Sequence, residues 1–302
     1  MKKFAKKIAF FLAIGLLLGE ITARMFFLTS SIPTRKIDEF GIQRYIPNQE
    51  GYSKGGSHKW YINEKGWPGK LPESYDKLVT IIGDSFIENF MNPEECHQMN
   101  YLKKALPEFN YTEASRSGVS FIEALEISKQ LDSLNPRVQL IYINETDFTE
   151  SIQQIRRLSD ITQIDLGKKE IVYGKMKAPG VKKILYSWKF IFYLYRRFQG
   201  SLTLPKPKET AETPKKPISD YFDHFGDLID YGKQNYNLDK IVVVLRPDTD
   251  EEFSSFLKSQ DLNVIQLDDS ADDDWSFEYD HHWTCYGHEQ AALQVAEYLK
   301  KL

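Results

Sequence analysis

Short apolar runs alternate with amphipathic stretches from residue 78 to the end of the chain. The run from Leu78 to Ile82 is uninterrupted and rich in β-branched residues, which is typical of a parallel strand buried on both faces. Comparable runs predict five strands, at 78–82, 109–114, 138–143, 240–245 and 263–267. Helical patterns lie at about 97–106, 121–134 and 251–259, and a last helix spans Cys285 to Leu302 with Thr284 as its N-cap. This alternation predicts an α/β three-layer sandwich with a five-stranded parallel sheet.

Two segments depart from the alternation and divide the chain. Residues 30–77 form a lead-in predicted to be irregular because Gly, Pro, Asn and Ser are frequent, with one short strand at 60–63. An insertion at about 149–238 interrupts the domain that spans 78–302. Within the insertion we expect a hairpin (161–164 with 171–173), a helix at about 182–198 and a mobile Pro/Lys/Thr-rich linker at 204–217.

The helix expected at 182–198 has an apolar face with basic residues elsewhere. That face comprises Leu185, Trp188, Phe192, Tyr195 and Phe198. Packing against its own domain is the ordinary interpretation of such a face. A lid over a site and a helix lying on a membrane are the alternatives.

Residues 1–29 have a different character, with four lysines before an apolar stretch from Ile8 to Gly19. Glu20 and Arg24 stand four residues apart and can pair on a helix, which lets the apolar span continue to Leu28. We predict an uncleaved signal-anchor, a single transmembrane helix with its lysines in the cytoplasm and the remaining chain outside. A cleaved signal peptide and a buried helix of a soluble protein are the alternatives.

Composition narrows the class of protein. The net charge is −4, and the four N-terminal lysines conceal a more acidic remainder, so we predict no nucleic-acid partner. Cys96 and Cys285 are the two cysteines of the chain. Outside the cytoplasm two cysteines can pair, and two unpaired thiols are the simpler alternative. The oligomeric state is left open.

Candidate chemistry lies at the end of the first strand and near the last helix. Ser85 follows the buried strand directly, at the carboxyl end where open α/β sheets build their sites. His282, two residues after Asp280, is the candidate base for a Ser85 nucleophile, with Asp280 orienting the imidazole. His281 is an adjacent rival. A turn serine, a partly buried histidine and a solvated aspartate are the simpler interpretations of the three residues.

Four segments resemble the SGNH/GDSL hydrolase superfamily, in the order in which that family has them. They are residues 82–86 (Ile-Gly-Asp-Ser-Phe), 114–120 (Ala-Ser-Arg-Ser-Gly-Val-Ser), 143–148 (Ile-Asn-Glu-Thr-Asp-Phe) and 280–288 (Asp-His-His-Trp-Thr-Cys-Tyr-Gly-His). Residues 62–66 and the Glu20/Arg24 pair resemble the subgroup of bacterial members with a membrane anchor. The resemblance implies a flavodoxin-like fold and ester hydrolysis. The family's spacing before Gly287-His288 selects His282 over His281.

The resemblance also implies an oxyanion hole. The backbone N–H groups of Ser85 and Gly118 are the candidate donors, although Gly118 also suits an ordinary turn. The family adds an asparagine side chain from a Gly-x-Asn-Asp motif. In this chain Thr146 stands in the place of that asparagine and Asn144 in the place of the glycine, so either can supply the third donor, or it is missing.

Other kinds of site find little support in the sequence. His281, His282 and His288 with Asp280 lack a recognised metal-ligand spacing, and we predict no metal. No phosphate loop or dinucleotide fingerprint occurs, and we predict no cofactor. A Cys285 nucleophile would need a base, and His282 is better explained by Ser85.

The sequence therefore predicts a membrane-anchored serine ester hydrolase outside the cytoplasm, periplasmic or at the cell surface. Its partners are a small-molecule or glycan ester, such as an O-acetyl group on a carbohydrate, and the membrane. An O-acyltransferase that modifies a surface polysaccharide with the same Ser-His-Asp set is one alternative, and a non-catalytic glycan-binding or assembly module is another. If the two catalytic loops meet, Cys96 and Cys285 also come close; this would permit a disulfide only with their Cα atoms less than about 7 Å apart, so pairing and two free thiols both stay open.

Overall fold

The computed structural model of the chain describes residues 2–198, 217–269 and 273–301. Its helices are α1 (Lys2–Met25), α2 (Ser85–Glu88), α3 (Gln98–Ala105), α4 (Phe121–Leu131), α5 (Glu145–Ser151), α6 (Pro179–Ser187), α7 (Lys189–Phe198), α8 (Phe222–Asn235), α9 (Glu251–Lys258) and α10 (Cys285–Leu299). Its strands are β1 (Arg35–Ile37), β2 (Gln43–Tyr45), β3 (Gln49–Tyr52), β4 (Lys59–Ile62), β5 (Leu78–Gly83), β6 (Asn110–Ser115), β7 (Val138–Ile143), β8 (Gln163–Asp165), β9 (Glu170–Val172), β10 (Ile241–Leu245), β11 (Asn263–Gln266), β12 (Ser276–Phe277) and β13 (Asp280–Trp283). The linker predicted at 204–217 lies outside the described residues, apart from Pro217.

The central sheet has five parallel strands in the order β11-β10-β7-β5-β6, which confirms the predicted fold class. Every residue of β5 and β7 is buried, as expected for strands covered on both faces. The register pairs Ile82 of β5 with Ala114 of β6 and with Ile141 of β7. The carboxyl ends of these strands therefore meet at one edge, where the loops after them come together.

Helices cover both faces of the sheet. One core is formed with α4, α5, α8 and α9, and includes the stacked rings of Phe121 and Phe148, whose centroids are 4.2 Å apart. The other core is formed with α2, α3 and α10, and includes Leu102, Val295 and Leu299. The three predicted layers are thus present.

Parts of the chain between these elements are more regular than the sequence pattern indicated. The lead-in holds four short strands, β1 to β4, of which β4 matches the expected strand at 60–63. The hairpin expected in the insertion is present as antiparallel β8 and β9. Helix α8, which the apolar pattern did not reveal, buries Phe225, Leu228 and Ile229 in the first core. The predicted insertion therefore ends in a helix that covers the main sheet.

The described residues form two compact units. The larger comprises 35–49, 61–176, 217–269 and 273–301 and contains the central sheet. The smaller comprises 2–34, 50–60 and 177–198. Among the described residues, α1 is the one helix long and apolar enough to cross a membrane. Length and composition support the predicted span.

The single helix predicted at 182–198 is wrong, because the chain breaks at Trp188. Trp188 has extended backbone angles (φ −105°, ψ 98°) and separates α6 from α7. The carboxylate of Glu20 accepts hydrogen bonds from the N–H groups of Lys189 (3.1 Å) and Phe190 (2.8 Å). An acceptor from a distant part of the chain thus caps α7 and stabilises a new helix start, which local periodicity cannot reveal.

Candidate active site

Ser85 is the first residue of α2 and follows strand β5 of the central sheet after one residue. Asp84 is the N-cap of α2, and its carboxylate accepts a hydrogen bond from the N–H of Phe86 (2.9 Å). Gly83 makes the close approach of helix to strand feasible, since a Cβ at this position would lie 2.6 Å from the Ile87 side chain. The sequence Gly-Asp-Ser therefore turns the chain sharply and leaves the Ser85 side chain at the carboxyl end of the sheet.

His282 and Asp280 come to Ser85 from the short antiparallel pair β12–β13. The distance between His282 Nε2 and Ser85 Oγ is 2.8 Å, and His282 Nδ1 forms a short hydrogen bond with Asp280 Oδ1. Alternate residues of a strand share a face, so the two-residue spacing turns both side chains toward Ser85. His281 points elsewhere and is exposed. The structure thus brings together the three residues that the sequence singled out.

The imidazole of His282 is held in one orientation by its neighbours. The Phe86 ring stacks on it with centroids 4.7 Å apart, and the backbone N–H of His282 donates to Asp280 Oδ1 (3.1 Å). The hydrogen bond from His282 lowers the pKa of Asp280. An ionised Asp280 accepts Nδ1–H, which leaves Nε2 free to take a proton from Ser85.

The loop with Gly118 lies beside this set and presents a backbone donor. Gly118 has a φ of +80°, a conformation that favours glycine. Neither the N–H of Gly118 nor that of Ser85 donates a hydrogen bond to another described residue. Both N–H groups therefore stay candidates for oxyanion donors.

A buried polar network fixes the Gly118 loop, and sequence reasoning did not find it. Glu88 accepts a hydrogen bond from the N–H of Ser117 (2.7 Å) and another from the Tyr45 hydroxyl. Arg116, the largest fully buried side chain, pairs with the buried Glu123 and donates to the carbonyl of Gly118 (3.4 Å). Isolated charged residues give no periodic signal. Buried arginines are paired with a carboxylate as a rule. An arginine inside the motif at 114–120 was therefore the one sequence signal of this buried network.

Asn144 and Thr146 are the two candidates for a third oxyanion donor, and the structure assigns this role to neither of them. The Oδ1 atom of Asn144 is committed to capping α5, because it accepts from the N–H groups of Thr146 (2.9 Å) and Asp147 (3.4 Å). The Nδ2 group of Asn144 and the hydroxyl of exposed Thr146 make no hydrogen bond to another described residue. Thr146 therefore occupies the first turn of α5 without a fixed role.

Replacing Thr146 by asparagine is expected to raise the turnover of an ester substrate by about tenfold or more. The reason is that one well-placed donor is typically worth about 10²–10³ in rate. The measurement is kcat of the two proteins on the same ester. The matched control is Asn144→Ser, which keeps a side-chain oxygen for the helix cap but removes the NH₂ donor. A loss of activity in Asn144→Ser together with no gain in Thr146→Asn would assign the role to Asn144.

The charged side chains of Asp84, Asp147 and Arg246 interact with one another beside Ser85. Burial raises the pKa of Asp84, and burial together with the negative charge of Asp84 raises the pKa of Asp147 well above its ordinary value. The guanidinium of Arg246 opposes both shifts and lies 3.9 Å from the centroid of the Phe86 ring. Both shifts favour the protonated, uncharged form of a carboxyl group close to Ser85.

A disulfide joins the two halves of the site. Cys96 and Cys285 are bonded, with their Cα atoms 5.0 Å apart, which decides between the paired and unpaired alternatives that the sequence left open. The carboxamide of Asn92 adds a hydrogen bond to the carbonyl of Trp283 (2.8 Å). His288 is buried nearby, and burial lowers its pKa to about 3, so it stays neutral and takes no part in the hydrogen-bonded chain to Ser85.

Comparisons with known proteins find distantly similar solved structures. No family model matches the chain, and no curated protein matches it. Similar solved structures include one described as TesA, with 10% identity and a TM-score of 0.41, covering 74% of this chain and 98% of that one. Another is the psychrotrophic esterase EstA from Pseudoalteromonas sp. (11% identity, TM-score 0.39, 75% and 98% covered). A third is described as a putative GDSL-like lipase from Bacteroides ovatus, with 17% identity and a TM-score of 0.33, covering 78% of this chain and 100% of that one.

Of these three, one is described as an esterase and one as a GDSL-like lipase. None of them refers to a membrane-anchored subgroup. With identities and TM-scores this low, the similarity carries no weight for a particular activity. The assignment of a function therefore rests on the geometry around Ser85.

Proposed function

We propose that this chain is a membrane-anchored serine ester hydrolase that acts outside the cytoplasm on an acyl ester, with O-acetyl groups on carbohydrate as the substrate class to test first. The observation that carries the proposal is the hydrogen-bonded chain from Asp280 through His282 to Ser85 Oγ. Three such groups in line are what a hydroxyl nucleophile needs to attack an ester at neutral pH.

In the proposed reaction Ser85 Oγ attacks the ester carbonyl carbon while His282 Nε2 takes its proton. The carbonyl oxygen becomes an oxyanion that the N–H groups of Ser85 and Gly118 stabilise. His282 then gives the proton to the departing alcohol, which leaves an acyl group on Ser85. Water attacks this acyl-enzyme with His282 again as the base, and the acid product and free Ser85 are released.

Two features of the chain support a location outside the cytoplasm: the apolar helix α1 and the disulfide. Helix α1 is long and apolar enough to span a bilayer, and the lysines before its apolar stretch favour a cytoplasmic N-terminus. The remaining chain would then lie outside the cytoplasm. A disulfide between Cys96 and Cys285 fits an oxidising compartment.

Hydrolysis of p-nitrophenyl acetate by the full chain in detergent micelles tests the proposal. We expect release of p-nitrophenol by the natural protein and none above background by Ser85→Ala, which removes only the nucleophilic oxygen. Product formation that requires an added sugar acceptor would point to acyl transfer instead. Glycan binding without any turnover would overturn the enzymatic proposal in favour of a binding module.

A further inference from the structure

The outer end of α1 is joined to α6 and α7 by a small set of polar contacts. Glu20 accepts the N–H groups of Lys189 and Phe190 at the start of α7, and Arg24 donates to Glu20 (2.8 Å) and to the carbonyl of Ser187 (2.8 Å) at the end of α6. A carboxylate thus lies at a helix N-terminus and a guanidinium at a helix C-terminus, the arrangement that helix dipoles favour. We call these five residues the Glu20–Arg24 bridge.

Apolar packing accompanies the bridge. The Phe190 ring lies so close to Gly19 that a Cβ on this glycine would be 2.6 Å from the ring. Gly15, one turn earlier on the same helix, has nothing within 4 Å of its Cβ position. The start of α7 is therefore fixed at the end of the uninterrupted apolar stretch from Ile8 to Gly19.

The two helices leave large apolar side chains uncovered. Those exposed are Val181, Ile184, Trp188, Ile191, Tyr195 and Phe198. The segment 175–198 also carries seven basic residues and no acidic one, whereas the whole chain has a net charge of −4. We call the exposed apolar residues, together with Lys182, Lys183, Arg196 and Arg197, the α6–α7 surface.

A bilayer of anionic phospholipids fits this surface better than another protein does. Exposed tryptophan, tyrosine and basic side chains together are the composition of segments that lie in the headgroup region, where aromatic rings partition and cations meet lipid phosphates. The contact with α1 places the start of α7 beside Glu20, the first charged residue after the uninterrupted apolar stretch from Ile8 to Gly19.

We propose that α6 and α7, held at the outer end of α1 by the Glu20–Arg24 bridge, bind the surface of an anionic phospholipid bilayer and insert Trp188 into the headgroup region. The inference rests on the part of the proposed function that makes α1 a membrane anchor, and is independent of ester hydrolysis.

Trp188 makes the inference directly measurable. It is 45% exposed, whereas the other four tryptophans are at most 6% exposed. The full chain is placed in nanodiscs, one copy in each, containing phosphatidylglycerol and phosphatidylcholine with or without bromine on the acyl chains. We expect brominated lipid to quench most of the Trp188 emission, and acrylamide to quench it less than in detergent micelles. Trp188→Phe should abolish the difference between the two kinds of disc.

One matched pair of variants and one charge variant test the parts of the proposal separately. Gly19→Leu displaces Phe190 and should reduce quenching, whereas Gly15→Leu adds the same side chain where there is room and should not. Replacing Lys182, Lys183, Arg196 and Arg197 by glutamine should reduce quenching in anionic discs to the level seen in discs of phosphatidylcholine alone. If brominated lipid quenched the Trp188 emission equally in Gly19→Leu and in Gly15→Leu, the role of the bridge would be refuted.

The outcomes also distinguish this inference from the proposed function. A chain that elutes apart from the discs would refute the membrane anchor itself. A chain that elutes with them, shows no quenching by brominated lipid and stays accessible to acrylamide would refute the α6–α7 surface alone. In discs loaded with two chains, chemical cross-links between the α6–α7 surfaces of the two copies would assign this surface to self-association instead. Hydrolysis of p-nitrophenyl acetate by the same discs reports separately on Ser85.

Discussion

Replacing His282 by alanine is expected to lower kcat/KM for an ester by about 10⁴-fold or more, since without the base the Ser85 hydroxyl is a poor nucleophile. His281→Ala is the matched control, because His281 is the exposed neighbour on the same strand and should keep full activity. Both proteins should fold alike, since His282 is only partly buried. The measurement is the initial rate on p-nitrophenyl acetate with thermal unfolding recorded alongside.

Asp280→Asn extends the same test to the third residue. An amide cannot accept Nδ1–H in the way that the carboxylate does, so His282 loses the tautomer it needs, and a loss of up to about 10⁴ in kcat is typical of such changes. The reverse pattern, an inactive His281→Ala and an active His282→Ala, would refute the register of the site.

Replacing both Cys96 and Cys285 by alanine is expected to lower the free energy of unfolding by up to about 5 kcal/mol. The bond joins residues 189 positions apart, and closing so long a loop in the unfolded chain carries a large entropic effect in the chain-entropy model. This loss is comparable to the whole stability of many domains. Urea unfolding of the oxidised protein and of the double variant, in the same micelles, gives the difference.

The reduced natural protein is the control for the double variant. It carries the same side chains apart from the bond, so it should unfold at nearly the same urea concentration as the alanine protein. Unfolding at the concentration found for the oxidised protein would show that the bond adds little stability. Alkylation of either thiol in undenatured, unreduced material would count against the bond itself.

The sheet could be predicted from the sequence because its strands are continuous apolar runs. β5 and β7 are buried on both faces, and their positions match the expected strands within one residue. The pair Asp280 and His282 could be predicted because its chemistry depends on a spacing of two along one strand. These features are local, and local spacing is what a single sequence displays.

The remaining features depend on residues far apart in the chain. The break at Trp188 is stabilised by Glu20, and the Gly118 loop is held by Glu88 and Tyr45, none of which is a sequence neighbour of what it supports. Helix α8 was missed because its apolar residues are interspersed with acidic and polar ones. A single sequence records the residues of such contacts but not their partners.

The Cys96–Cys285 bond has a consequence for a protein that meets proteases. It encloses every residue from 97 to 284, and so the whole of the predicted insertion at about 149–238. A single cut within the insertion yields two fragments that stay covalently joined, one with Ser85 and the other with His282. Nicked protein should therefore migrate as one species on a non-reducing gel and separate into two only after reduction, and the nick need not part the nucleophile from its base.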